Sequence, residues 1–260
     1  MYPNQNNFNW DYTNKEIIIF IPNWKRKNLL IPTLQRFKTE LPIDKWLFLV
    51  VNDGHHEDLS DLEKYNLKWF TFERDPVVER NGCMIRNKVI KNIRSRLLAT
   101  RDPEIIIEGD FLSSAIKIKD SEIYRPSNMV ELCEQETSKI LENPYVDLKK
   151  LSILREWIID NNRFQAFHAG ATIPVKILLD INGYDERFKN NYGFEDWDLL
   201  RRLRLLNIDI IIDKNIKTYH IWHPMIRKFK KTIISSESLY KEKTKNNETI
   251  VNKNIEWGLG

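Results

Sequence analysis

The chain has 260 residues, 42% of them apolar and 30% charged, with 41 Lys and Arg against 37 Asp and Glu for a net charge of +4. This describes a globular protein with a sizeable core, and the charge is too near balance to serve by itself as a nucleic-acid footprint. Two cysteines, Cys83 and Cys133, exclude a disulfide framework and a four-thiolate zinc site. No apolar run approaches the roughly 18–20 residues of a membrane span, and no basic-then-apolar leader opens the chain, so the expected location is the cytoplasm.

Residues 1–15 are polar and Asn-rich, as in a loose arm or a strap over the body. The run 16–21 (EIIIFI), closed by Pro22-Asn23, reads as a strand buried on both faces. Residues 29–37 follow helical spacing; 46–51 (WLFLVV) form a second buried strand that stops at Asn52-Asp53-Gly54, and 68–72 a third. The spacing predicts a helix over 83–99, with Ile85, Val89, Ile90, Ile93 and Leu97 near one face, then a buried strand at 104–107 that delivers Glu108-Gly109-Asp110. Residues 127–160 turn helical and charged. A turn at 182–185 leads to the acidic string 194–198, a helix over 199–206, a strand over 208–212 and a last legible segment, TYHIWH, ending at His223. Strands alternating with helices predict an α/β, doubly wound, mostly parallel sheet. Ligands of such sheets sit beyond the strands' carboxyl ends, which singles out Asp53 and Asp110.

Four constellations can carry chemistry. Glu108 and Asp110 flank a glycine on a strand-end turn, where two carboxylates can share a hard divalent cation and Gly109 leaves room for a diphosphate; most acids at loop starts are only solvated. His220 and His223 point to opposite faces if the strand runs straight, so one at most joins a site unless the chain turns. In Phe194-Glu195-Asp196-Trp197-Asp198, acids before a helix complement its dipole, yet two carboxylates hemmed by aromatics raise one another's pKa and suit a general base. Arg86-Asn87, on the helix preceding the acids, can bridge carboxylate and phosphate. No Gly-rich phosphate loop follows any strand, which argues against a dinucleotide dehydrogenase and a P-loop enzyme. The basic run RKFKK at 227–231 is a solvated face or a peripheral contact with anionic lipid at the inner membrane face.

In chain order these residues resemble the GT-A-fold glycosyltransferases of family 2 and the β-1,4-galactosyltransferase group, bacterial capsule polymerases included, over roughly residues 16–224. IIIFIPNWKRKNLL is similar to the family's opening strand and turn, with Pro22 and Arg26 in place, and VVNDGHHED to the motif whose Asp, here Asp53, contacts the uracil ring. GCMIRNKVI resembles the stretch whose Arg-Asn lies near the donor diphosphate, and IIIEGD stands for the family's Asp-x-Asp, with Glu108 replacing the first Asp and Asp110 as the metal ligand. FHAGATIPVKILLDINGYDERFKNNYGFEDWDLLRRL resembles the galactosyltransferase carboxyl-terminal motif. There Gly170 would lie against the donor sugar, Glu195 would bind hydroxyls and Asp196 would be the catalytic base; Tyr192-Gly193-Phe194 departs from the family's Trp-Gly. TYHIWH is similar to the segment that supplies the third metal ligand, His220, with His223 in reserve.

The resemblance implies an arm at 1–15, one GT-A domain at 16–224 (nucleotide half 16–110, acceptor and catalytic half 111–224) and a basic extension at 225–260. It implies a Mn²⁺- or Mg²⁺-dependent, inverting transfer of Gal or GalNAc, with Glc and GlcNAc next, from a UDP-sugar to a glycan or glycolipid hydroxyl in surface polysaccharide synthesis, and no nucleic-acid partner. The rival expectations are an inactive GT-A-fold glycan-binding protein and a sugar nucleotidyltransferase, whose Gly-rich first loop this chain lacks.

Overall fold

The computed structural model describes residues 3–73, 82–159, 167–188, 193–224 and 229–258, with backbone alone for 229–233. Its strands are β1 (Ile17–Asn23), β2 (Trp46–Asp53), β3 (Leu67–Phe72), β4 (Leu97–Arg101), β5 (Ile105–Glu108), β6 (Glu122–Leu132), β7 (Ile153–Ile158), β8 (Ala169–Pro174) and β9 (Asp209–His220). Its helices are α1 (Lys27–Gln35), α2 (Gly82–Asn92), α3 (Phe111–Ala115), α4 (Glu134–Glu142), α5 (Val175–Asp180), α6 (Glu195–Leu205) and α7 (Phe229–Asn246).

One sheet runs in the order β3-β2-β1-β4-β8-β6-β9-β5, with β7 paired to β6. The nucleotide half, β3-β2-β1-β4, is parallel. β8 then joins β4 antiparallel, and β9 pairs β6 parallel and β5 antiparallel. Alternation along β1 explains its unbroken apolar run. Ile18 and Phe20 enter a core with residues of α2, α5 and α6, whereas Ile17, Ile19 and Ile21 enter the opposite layer with Leu30, Leu34, Phe111 and Leu112 from α1 and α3. Each such side chain removed from water contributes about 2 kcal/mol.

The helix expected over 83–99 ends at Asn92, and Leu97–Arg101 is strand β4. Ile93 and Leu97 satisfy the i, i+4 rule, and a strand buried on both faces carries no period of its own to contradict it. The vacancy beside β1 decides the matter: Leu97 donates its backbone N–H to Glu16 O at 2.9 Å, and Ile17–Phe20 pair with Leu97–Thr100. β4 is therefore the next parallel strand, and the acids at its carboxyl end are Asp102 and Glu104.

Both ends of the chain pack on this body. Asn4 bridges to Thr71 beside β3, and Phe8 stacks on Phe70 at 4.8 Å between ring centroids, so the polar arm is a strap. Of the expected basic extension, the RKFKK side chains and residues 225–228 lie outside the described residues. The remainder is integrated: buried Lys243 pairs with Asp185 and lies 3.2 Å from Asp198, Val251 is fully buried, and Asn252 Nδ2 donates to Tyr184 O at 2.7 Å. Gly258 N donates to Glu186 Oε1 at 2.7 Å. Deleting residues 247–260 is expected to lower Tm by on the order of 5–10 °C in calorimetry, because it uncovers apolar surface and leaves the Tyr184 and Glu186 acceptors short of donors. No described helix is long and apolar enough to cross a membrane.

Candidate active site

The carboxyl end of β4 delivers Asp102-Pro103-Glu104 to the crevice where a doubly wound sheet binds its ligands. Glu104 is 3% exposed and meets two histidines from the end of β9 and the turn after it: His223 Nε2 lies 3.1 Å and His220 Nε2 3.7 Å from Glu104 Oε1, and Arg26 pairs with the same oxygen. Glu104, His220 and His223 each offer a ligand atom within 4.8 Å of the others. The chain does turn after β9, so both histidines reach one point. Burial raises the Glu104 pKa, but the hydrogen bond from His223 and the charges of Arg26 and His220 outweigh it and hold the carboxyl at about 2. Burial pushes His220 down. An ionised carboxylate beside a neutral imidazole is the state in which both can ligate a cation. Glu104 Oε2 is buried without a hydrogen-bond partner among the described residues, an acceptor that a divalent ion would satisfy.

Asp110 belongs elsewhere, which corrects the metal set expected from the sequence. β5 runs antiparallel to β9 with Ile105 opposite His220 and Glu108 opposite Lys217, so the chain leaves the histidines by about 10 Å between 105 and 108. Asp110 then caps α3: its carboxylate accepts from Ser113 N and Oγ, Thr39 Oγ1 at 2.8 Å and Glu40 N at 2.8 Å. Glu108 accepts from the Tyr219 hydroxyl at 3.2 Å. Gly109 has φ +102°, and a Cβ there would collide with Ile216; it serves a turn rather than a diphosphate. The carboxylate-x-carboxylate pattern survives six residues upstream, as Asp102-Pro103-Glu104.

The string 194–198 divides its acids between two tasks. Asp198, fully buried, bonds Arg201 at 2.9 Å and Arg202 at 2.8 Å and fastens α6 to α7 through Lys243. Glu195 and Asp196 open α6 after Phe194, a non-glycine at φ 73° whose strain sits at the cleft. Burial and the adjacent Glu195 charge push Asp196 up to about 8, against Arg86 and the Trp197 N–H, which lower it. Across from the pair, Arg86 of α2 comes within 4.0 Å of Asp102 Oδ1, stacks 5.4 Å from the centre of the Tyr184 ring, and reaches His168 Nδ1 at 3.2 Å. Burial and Glu104 lift Asp102 to about 7. The cleft thus has an acidic wall, an arginine against it, and a carboxylate–histidine cluster beyond.

Asn87 is placed in the framework instead. Its amide donates to Tyr184 O and Glu186 Oε1, both at 2.8 Å, and accepts from Tyr184 N at 2.7 Å, which leaves nothing for a diphosphate. Gly183 beside it has φ +65° and no room for a Cβ against Asn87. Asn87→Asp, which replaces the donor by an acceptor facing Glu186, is expected to cost about 2–4 kcal/mol of stability in urea unfolding.

Of the other expected contacts, Pro22 and Asp53 end β1 and β2, and Asp53 is fully buried. Beside them Asn23 Nδ2 donates to Asn52 Oδ1 and Glu57 Oε2, both at 2.7 Å, an amide cluster at the sheet's carboxyl edge. Gly170, at φ +102° by the irregularity that separates Thr100 and Arg101 on β4, turns its bare Cα toward Ile107 and Pro126; its glycine serves packing. Tyr192 and residues 160–166 lie outside the described residues. Sequence reasoning missed Asp102, Glu104, His168 and Tyr184. The acid spacing in RDPE was the available signal, hidden by the reading of the preceding strand as helix.

Residues 165–224 match the family model described as the N-terminal domain of galactosyltransferase. No curated protein matches the chain by sequence. Among solved structures, S. aureus TarS 1-349 in complex with UDP is 18% identical at a TM-score of 0.57, over 80% of this chain and 61% of that one. The mannosyltransferase PcManGT from Pyrobaculum calidifontis, in complex with GDP-Man and Mn²⁺, is 13% identical at 0.53, over 86% of this chain and 63% of that one. GalNAc-T7 with UDP, GalNAc and Mn²⁺ is 11% identical at 0.57, over 82% of this chain and 44% of that one. The chain therefore spans less than two thirds of each of these structures, and the fold it shares with them is GT-A.

Proposed function

We propose that this GT-A-fold chain is a metal-dependent glycosyltransferase that moves a sugar from a UDP-sugar to a hydroxyl of a glycan acceptor with inversion at the anomeric carbon. The observation that carries this reading is the meeting of Glu104, His220 and His223 within 4.8 Å at the sheet's carboxyl edge, in the same cleft region as the Glu195–Asp196 pair. One carboxylate and two imidazoles suit a borderline divalent ion such as Mn²⁺, with Mg²⁺ less favoured by the nitrogens. When bound, the ion would offset the charge that develops on the departing diphosphate.

The protein's own groups do the rest. Arg26 and Arg86, on opposite flanks of Asp102-Pro103-Glu104, bring positive charge to where the diphosphate lies. Asp53 and the amide cluster at Asn23 and Asn52 form the nucleoside end. Asp196, ionised, takes the proton of the attacking hydroxyl, and Glu195 orients hydroxyls at its side. Asp196 acting as a single general base favours a single displacement. Gal or GalNAc is the proposed sugar, followed by Glc and GlcNAc, on the galactosyltransferase-type match of residues 165–224. A glycan or glycolipid of a surface polysaccharide is the proposed acceptor.

The test is the melting temperature with UDP, UDP-Gal, UDP-GalNAc, UDP-Glc and UDP-GlcNAc, each with Mn²⁺ and with EDTA. A ligand at 100 times its Kd adds about 2.7 kcal/mol to the folded state, a rise of several degrees. The expected result is a rise with UDP-sugars that EDTA removes; no rise with any of them refutes the reading. The anomeric configuration of the product, read by NMR, tests inversion.

A further inference from the structure

His168 lies in the cleft wall with its two ring nitrogens committed to different partners. Nδ1 is 3.2 Å from Arg86 Nη2, and Nε2 is 3.3 Å from the Tyr184 hydroxyl. A guanidinium only donates, so Nδ1 must be the accepting nitrogen and the ring proton sits on Nε2. That proton goes to the Tyr184 oxygen, and the phenol proton must then point away from His168. Asn87 bonds the Tyr184 backbone N–H and C=O, which fixes where the side chain starts, and Arg86 lies 5.4 Å from the centre of the ring and packs against it. Burial and Arg86 push the His168 pKa well down, which keeps the imidazole neutral as the geometry requires.

The titratable and charged groups around the phenol are Arg86 and the buried, neutral Cys83 thiol on α2 and Glu195 and Asp196 on α6; burial raises the Tyr184 pKa, Arg86 opposes it, and the two carboxylates add to the rise. Arg86 has no acceptor to give. Glu195 Oε2, by contrast, is buried and accepts no hydrogen bond from any described residue, the Tyr184 hydroxyl included, so it is an open acceptor that the phenol would meet only as the side chains adjust around a bound acceptor sugar. We propose that His168 is a positioning residue, which, held at Nδ1 by Arg86, turns the Tyr184 hydroxyl proton toward the Glu195–Asp196 pair. The relay Arg86–His168–Tyr184 thereby presents a donor to the ionised form of the pair and ties the base's orientation to the arginine that faces the diphosphate.

The inference rests on the glycosyltransferase reading for its consequence, though not for its geometry. The geometry is tested first, on the native protein, by ¹⁵N-edited NMR of its five histidines, with His168 identified by its loss in His168→Gln. The expected spectrum at neutral pH has His168 Nδ1 unprotonated and Nε2 protonated; a proton on Nδ1, or an imidazolium, overturns the relay whatever the enzyme does. The consequence is tested by the pH dependence of transfer. Donating to the carboxylate favours its charged form, so Tyr184→Phe and His168→Phe should move the acid limb to higher pH by about 0.5–1 unit and lower kcat about tenfold. KM for the UDP-sugar should stay within about threefold, and His168→Gln, whose amide can still donate to Tyr184, should recover most of the loss. An unmoved acid limb in folded Tyr184→Phe overturns the relay's role. If the native protein transfers no sugar at all, the function falls and the NMR result decides the relay by itself.

Discussion

Glu104→Gln is expected to remove the Mn²⁺-dependent rise in melting temperature with UDP-sugars and to lower transfer by at least about 100-fold, while Asp110→Asn keeps both. The amide is nearly isosteric, so packing survives, but a neutral ligand replaces the one anion among Glu104, His220 and His223. Loss of an outer partner of a metal site already costs 10–100-fold, and loss of a charged ligand costs more. Asp110→Asn touches a helix cap, held by Ser113, Thr39 and Glu40 N, and should show only a stability loss of about 1 kcal/mol. Metal titration with a UDP-bound readout separates the two. Equal losses of metal binding in both variants would return Asp110 to the metal set.

The second large effect concerns Asp196. Asp196→Asn should bind UDP and Mn²⁺ as the native protein does and lose transfer by about 10²–10⁴-fold, the usual worth of a general base. The pH dependence follows from the raised carboxyl. The base acts ionised and its pKa lies at about 8, so kcat/KM in the native protein should fall tenfold per unit as pH drops below that value. The same shift has a stability consequence with a definite sign. A carboxyl whose folded pKa exceeds its unfolded pKa binds its proton more tightly when folded, so the fold loses stability as pH rises from about 4 to about 8 through this group. Denaturant titrations of native protein and Asp196→Asn at pH 5 and pH 8 measure this: the difference should shrink in the variant. An acid limb that remained in the residual activity of Asp196→Asn would assign it to another group, with Asp102 at about 7 the nearest candidate.

The parts of this protein that local chemistry dictates were legible in the sequence. Continuous β-branched runs bounded by Pro, Asn and Gly place β1 and β2 to within a residue or two, because a strand buried on both faces needs that composition in any context. Acids ahead of an amphipathic run announce α6, because a helix N-terminus attracts them, but the helix expected over 199–206 begins at Glu195, so the acids form its first turn instead of preceding it. What one strand does to another was not legible. Leu97–Arg101 satisfies helix spacing as well as strand composition, and only the open edge of β1 chooses between them. That choice moves the strand-end acids from Glu108 and Asp110 to Asp102 and Glu104. It also decides that His220 and His223, separated by two residues at a turn, converge on one oxygen.

The same limit divided residues of like type between site and framework. Glu195 and Asp196 face the cleft while Asp198 is spent on Arg201, Arg202 and Lys243, and the position of Lys243 is set by a helix 45 residues further along the chain. Arg86 faces the acids, and its neighbour Asn87 holds the backbone of Tyr184, 97 residues away. A sequence determines which residues can be buried, which can turn and which can carry charge, since these are properties of a side chain and its near neighbours. Which carboxylate meets which imidazole is a property of strand order and register, and here the tertiary pairing of β4 with β1 and of β5 with β9 determined it.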